Sequence, residues 1–202
     1  MLPNPCPPRL VFVDLETTGA GIATDRITEI GIVEVSADGM QEWSSLVCPE
    51  APIPPFIEAL TGISNAMVAN APRFAQLAPQ LHARLDGCLF IAHNARFDHG
   101  FLQNAFRRID VDFNPDVLCT VKLSRKLYPS FGRHSLDALI ERHALPVTGR
   151  HRALDDARLL WQFWQTMQRT LAAQDIVAAV KALTITGSSG NSAPQRTPKL
   201  SY

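Results

Sequence analysis

Three short segments of this 202-residue chain hold residues whose types and spacing can do chemistry. The first is VFVDLETTG, residues 11–19, where Asp14 and Glu16 lie two apart at the end of an apolar strand. Strand side chains alternate, so both carboxylates share one face, with Cα atoms roughly 6.5–7 Å apart. Carboxylates this close raise each other's pKa unless a cation lies between them. Hard divalent ions such as Mg²⁺ or Mn²⁺ suit such an all-oxygen arrangement. Thr17, Thr18 and Gly19 follow, offering hydroxyls and a flexible turn for a substrate to approach. The second segment is HNARFDHGFL, residues 93–102, in which Asp98 falls on a helix that follows an apolar strand. Asn94 at the junction is expected to be the N-cap, and Phe97 and Phe101 share one helix face. The third is GRHRALDDARLLWQFW, residues 149–164, with His151 before a helix and Asp156 in its first two turns. Asp156 lies four before Leu160 and borders the buried stripe, whereas Asp155 is expected to face solvent more. A carboxylate beside a buried face needs a partner, and a metal would supply one. A loop histidine can act as a base near neutral pH.

Each segment alone has a plain reading. A lone DxE can end an edge strand in solvent, Asp98 can be an ordinary exposed helix residue, and His151 can be a surface histidine. A dinucleotide loop fails, because Thr24 stands where Gly19-Ala20-Gly21 would need its third glycine, and no GK[ST] motif occurs.

The elements that must position these residues follow from apolar spacing. Leu10 to Val13, Arg26 to Val35 and Gln41 to Val47 read as strands with short spacers, hence an antiparallel meander. A cluster of four prolines, Pro49, Pro52, Pro54 and Pro55, reads as a loop. Phe74, Leu77, Leu81 and Leu85 follow helical spacing, and Gly87 offers a stop. Cys88 to Ala92 is a buried strand, Ala95 to Arg108 a helix, and Val117 to Val121 another strand. Ser135 to His143 and Ala153 to Leu171 are helices, the latter with an apolar stripe of Ala157, Leu160, Trp161, Trp164 and Leu171. Strands followed by alternating helices and strands make a mixed α/β sheet flanked by helices. The expected domains are a proline-rich lead-in at 1–8, one folded unit at 9–172, an apolar helix at 173–186 and a Ser/Gly/Pro tail or linker at 187–202.

Composition narrows the function classes. With 46% hydrophobic and 19% charged residues the chain can bury a core. Mean hydropathy is +0.01, and no apolar run is long enough for a membrane helix. The N-terminus has no signal-peptide pattern, so a cytoplasmic location and no membrane partner are expected. Cys6, Cys48, Cys88 and Cys119 form no CxxC pair, which speaks against a zinc knuckle. Nineteen basic residues balance nineteen acidic ones, but unevenly. Residues 1–121 carry 7 basic and 14 acidic groups, whereas 122–152 carry 7 and 2. Such a split can place a cation site beside an anionic substrate; chance scatter is the alternative.

Taken in order, Asp14 and Glu16 in DLETTG, Asp98 in HNARFD, and His151 with Asp156 in HRALDD resemble the DEDDh 3′→5′ exonucleases. The resemblance covers about residues 9–170 and is nearest to the DnaQ-like branch, that of the proofreading epsilon subunit of bacterial DNA polymerase III. RITEIGIVEV, LTGIS, VKLSRKLYP and HSLDALIERHAL support it. Thr61-Gly62 stands where the epsilon-like loop often carries His-Gly. The resemblance implies an RNase H-like α/β fold with a central five-stranded mixed sheet flanked by helices. It implies two divalent cations, Mg²⁺ or Mn²⁺, held chiefly by Asp14, Glu16, Asp98 and Asp156, with His151 taking a proton from the attacking water. Thr17, Thr18, Gly19, Leu60, Asn94 and Phe97 match substrate-binding positions of the family. The implied substrate is a single-stranded DNA 3′ end, in proofreading or repair. The implied partner is a polymerase catalytic subunit or a fused endonuclease module. RNA as substrate, or a non-catalytic binding module, are the alternatives.

Overall fold

A computed structural model of the chain describes residues 9–187. The lead-in expected at 1–8 and nearly all of the expected tail lie outside the described residues. Thirteen elements follow one another among them. Three strands come first: β1 (Leu10–Thr17), β2 (Ile27–Ser36) and β3 (Gly39–Leu46). Helices α1 (Pro55–Thr61), α2 (Asn65–Val68) and α3 (Phe74–Leu85) follow. Then come β4 (Leu89–Ala92), α4 (Arg96–Arg107), β5 (Asp116–Cys119) and α5 (Thr120–Leu127). Helices α6 (Leu136–His143), α7 (Ala153–Thr170) and α8 (Ala173–Leu183) complete the set. The strands form one mixed sheet in the order β3-β2-β1-β4-β5. The β1–β2–β3 meander is antiparallel, and β4 and β5 add parallel to β1. The connections from β1 to β4 and from β4 to β5 are long and include helices, in keeping with the long crossover that parallel pairing requires.

Alternation along β1 divides the core in two. Val11, Val13 and Leu15 face a cluster with Leu81 and Leu85 of α3 and Phe101, Leu102 and Phe106 of α4. Phe12 faces the opposite cluster with Leu139 of α6, Leu160, Phe163 and Trp164 of α7, and Ile176 and Val180 of α8. Phe12 meets Trp161 and Trp164 at ring-centroid distances of 5.5 and 5.8 Å. Burying an aromatic side chain of this kind is worth about 2–3 kcal/mol. That contact fixes the strand two residues before Asp14.

Four local readings change. The strand begun by Leu10 to Val13 runs on to Thr17, so Asp14 and Glu16 lie within it. The proline cluster ends in a helix: Pro54 is the N-cap residue of α1 and Pro55 its first residue, where a missing N–H costs nothing. The run at Val117 to Val121 is strand only to Cys119, and Thr120 opens α5. There the Thr120 hydroxyl donates to the Ala92 carbonyl at 3.2 Å, turning the chain off the sheet. Asn94 is not the N-cap of α4. It takes the left-handed conformation, φ 62°, which asparagine tolerates. The cap residue is Ala95, with no side-chain bond to the helix.

Past α8 the chain turns back along the open side of β5. The Val117 and Ile185 amides and carbonyls exchange hydrogen bonds of 2.8 and 2.9 Å. The Gly187 amide donates to the Asp116 carboxylate at 2.9 Å. No helix among the described residues is long and apolar enough to cross a membrane.

Candidate active site

The end of β1 is where the three segments converge. Asp14 and Glu16 have the same parity as Phe12, so they project toward the α7 side of the sheet. Asp156, in the first turn of α7, meets them there. One carboxylate oxygen from each of Asp14, Glu16 and Asp156 lies within 4.8 Å of the others. Asp98 arrives from α4, on the opposite face. It is 2% exposed, and the nearby backbone amides of Leu15 and of Asp98 itself favour its charged form against that burial. It interacts electrostatically with Asp14 and Glu16 of the cluster.

The electrostatics of this corner are unfavourable without a cation. Burial, then repulsion from Asp98, Asp156 and Glu16, holds Asp14 well above the usual carboxylate range. Burial together with Asp156 and Glu29 pushes Glu16 up to about 7. Burial pushes Asp98 up to about 8. Asp156 is raised too, by burial, against the opposing pull of Arg150. A set of hard oxygen donors that resist ionising together suits a divalent cation, which would favour the charged form of each. Asp14, Glu16 and Asp156 have the spacing to hold one, and Asp98 adds negative charge that acts on Asp14.

Two residues outside the three segments let α7 come this close. Gly31 is the cross-strand partner of Asp14. A Cβ there would lie closer than 3.0 Å to the Ala153 carbonyl and the Leu154 nitrogen, so the first turn of α7 rests on bare backbone. Glu29 is the cross-strand partner of Glu16 and is 4% exposed. Its carboxylate accepts from the Ala153 amide at 2.9 Å and from Arg152 at 2.6–3.1 Å. A negative group on the N-terminal amides of a helix is favourable, and this one ties the start of α7 to β2.

His151 lies in the loop before α7 in the left-handed conformation, φ 57°. It lies close enough to Asp156 to act on that carboxylate electrostatically. The preceding Arg150 pairs with Asp156 and, at 2.6 Å, with Asp137 on α6. Asp155 faces away, toward Arg158 at 2.8 Å.

The residues matched to substrate binding lie on several different elements. Thr17 donates to the Gly19 carbonyl at 2.6 Å, and Thr18 bonds Asp25 and the Arg26 amide. Their hydroxyls thus shape the turn after β1. Leu60 is 53% exposed on α1, and Phe97 packs on Phe101 at 4.7 Å between ring centroids. Asn94 joins β4 to α4. Sequence reasoning missed Gly31, Glu29, Asp137 and the pairing role of Arg150. Of these only Arg150 carried a local signal, its place next to His151 in GRHR.

The family model described as Exonuclease matches residues 11–163. The chain belongs to the exonuclease family. It is 40% identical over 147 residues to a 3'-5' exonuclease DinG of Staphylococcus haemolyticus, a match covering 72% of this chain and 16% of that one. It is 43% identical over 158 residues to a Mycobacterium tuberculosis protein provisionally named a bifunctional exonuclease/endonuclease, covering 73% of this chain and 24% of that protein. This family member therefore spans only about a sixth to a quarter of the length of those relatives. Exonuclease X, solved with 5′ overhanging duplex DNA, matches at 30% identity and a TM-score of 0.64, covering 84% of this chain and 98% of its own. The nuclease domain of 3'hExo, a DEDDh family member bound to rAMP, matches at 18% identity and a TM-score of 0.69, over 80% of this chain and 92% of its own. The mixed five-stranded sheet flanked by helices is the RNase H-like exonuclease fold.

Proposed function

We propose that this chain is a divalent-metal-dependent 3′→5′ exonuclease module that removes nucleoside 5′-monophosphates from DNA 3′ ends. The observation that carries the reading is the convergence of Asp14, Glu16 and Asp156 within 4.8 Å, with buried Asp98 acting on Asp14 electrostatically. Two cations, Mg²⁺ or Mn²⁺, would be held chiefly by these four carboxylates. When bound they supply Lewis acidity for charge developing on the attacking and leaving oxygens of an in-line displacement. Asp14 and Glu16, fixed on a sheet strand, set the position of the site, and Asp156 closes it from α7. His151, close to Asp156, accepts the proton of the attacking water as general base. The basic stretch of 122–152 faces substrate phosphates, and Thr17, Thr18, Gly19, Leu60, Asn94 and Phe97 line the path of the terminal nucleotides.

The Exonuclease X complex with duplex DNA supports DNA as the substrate class. The name of one relative, a bifunctional exonuclease/endonuclease, favours a module joined to an endonuclease over a polymerase proofreading subunit.

The test is cleavage of 5′-labelled single-stranded DNA and matched RNA in Mg²⁺ or Mn²⁺, with EDTA and Asp14→Ala controls. A ladder shortening from the 3′ end of DNA, lost in both controls, is expected. A strong RNA preference would move the substrate class to RNA. Binding without turnover by folded protein would make the chain a non-catalytic module.

A further inference from the structure

Arg150 is the guanidinium that touches the carboxylate cluster among the described residues. Its side chain is 23% exposed and joins Asp156, 8% exposed, to Asp137, 77% exposed. The two contacts use different nitrogens of one planar group, so both are made at once. Its charge also reaches Asp14 and Glu16. Arg152, by contrast, is committed to Glu29. One member of the cluster that suits a divalent ion thus already has a cationic partner belonging to the chain.

We propose that Arg150 is an internal counter-cation that competes with the divalent metal for Asp156 and sets the metal concentration at which the site loads. Asp137 is its anchor: holding one side of the guanidinium keeps the other side on Asp156. Metal loading exchanges the Arg150–Asp156 contact for metal–carboxylate contacts, and Asp137 retains the released arginine at the rim. This inference rests on the metal-site reading above.

Two explanations of an arginine effect differ in sign at Asp137. If Arg150 acts only through its field, removing the negative charge of Asp137 weakens metal binding. If Asp137 anchors a competitor, removing it strengthens metal binding.

The experiment is calorimetric titration of the full chain with Mn²⁺ alone, without nucleic acid, at low ionic strength. Thermal melting first establishes that each variant is folded. Arg150→Gln is expected to bind Mn²⁺ roughly 5- to 50-fold more tightly than wild type, since a partly buried pair is removed. Arg150→Lys keeps the charge but cannot fork two carboxylates, and it too binds more tightly. Asp137→Asn binds more tightly, and its effect vanishes in the Arg150→Gln background. Unchanged affinity in Arg150→Gln, or weaker binding in Asp137→Asn, overturns the competition while leaving the metal site intact. Absence of Mn²⁺ binding in every variant overturns both readings.

Discussion

Gly31→Ala tests whether the site depends on the close approach of α7 to β2. The new Cβ would lie closer than 3.0 Å to backbone atoms of Ala153 and Leu154, where ordinary contact is 3.4–4 Å. The obstacle is helix backbone, which cannot rotate aside as a flexible side chain can. The first turn of α7 must withdraw by about 1 Å, or β2 must bow, and overpacking of this kind costs roughly 1–3 kcal/mol. For a chain of this size that lowers the melting temperature by about 4–8 °C at the middle of the range. The larger effect falls on the chemistry. Asp156 and His151 ride on the displaced turn, whereas Asp14 and Glu16 stay on β1. A displacement of about 1 Å between groups that must act together can cost on the order of 100-fold in rate. The assay pairs thermal melting with single-turnover cleavage at a temperature where both proteins are folded. Loss of rate with folding retained is expected. Wild-type melting and wild-type rate together would falsify the argument that bare backbone at position 31 seats the helix.

Two further outcomes follow from the same corner. The raised Glu16 and Asp98 mean that the metal-free folded chain binds more protons than the unfolded chain between the ordinary carboxylate range and about pH 8. Stability of metal-free protein should therefore fall as pH rises from about 5 to 8, by roughly 2–3 kcal/mol from Glu16 alone, and Mn²⁺ should flatten the profile; melting in EDTA at both pH values checks the sign. Glu29→Gln removes the buried charge that Arg152 and the Ala153 amide share, and should destabilise the chain by about 2–3 kcal/mol in denaturant titration, with rescue absent in high salt because the pair is buried on the glutamate side.

What could be read from sequence and what could not divide by range. Asp14 and Glu16 were legible because a strand repeats every two residues, so a DxE pair declares its shared face without any partner. Asp156 was legible because helical spacing from Leu160 puts it at the border of a buried stripe. The convergence of Asp14, Glu16 and Asp156 was carried by the family resemblance, since spacing alone left each carboxylate with a bland reading. The Glu29 contact with Ala153 spans 124 residues, and no local pattern announces it. Gly31 sits inside RITEIGIVEV, where a strand glycine has several causes, and only the tertiary fold shows which one applies. The Asn94 error has a similar origin. Asparagine suits both an N-cap and a left-handed residue, and the tight exit from β4 selects the second.

The segment after α8 has a consequence for the sheet as a whole. β5 is a terminal strand, and its outer row of amides and carbonyls would otherwise be free to template pairing with another chain. Ile185 occupies part of that row with backbone bonds from the molecule itself, and the Gly187 amide bonds the Asp116 side chain beside it. A shortened chain ending before α8 would keep every carboxylate of the corner, yet it would bare both an apolar face and an unpaired β-edge. Its weakness would be self-association through strand addition, far from the chemistry.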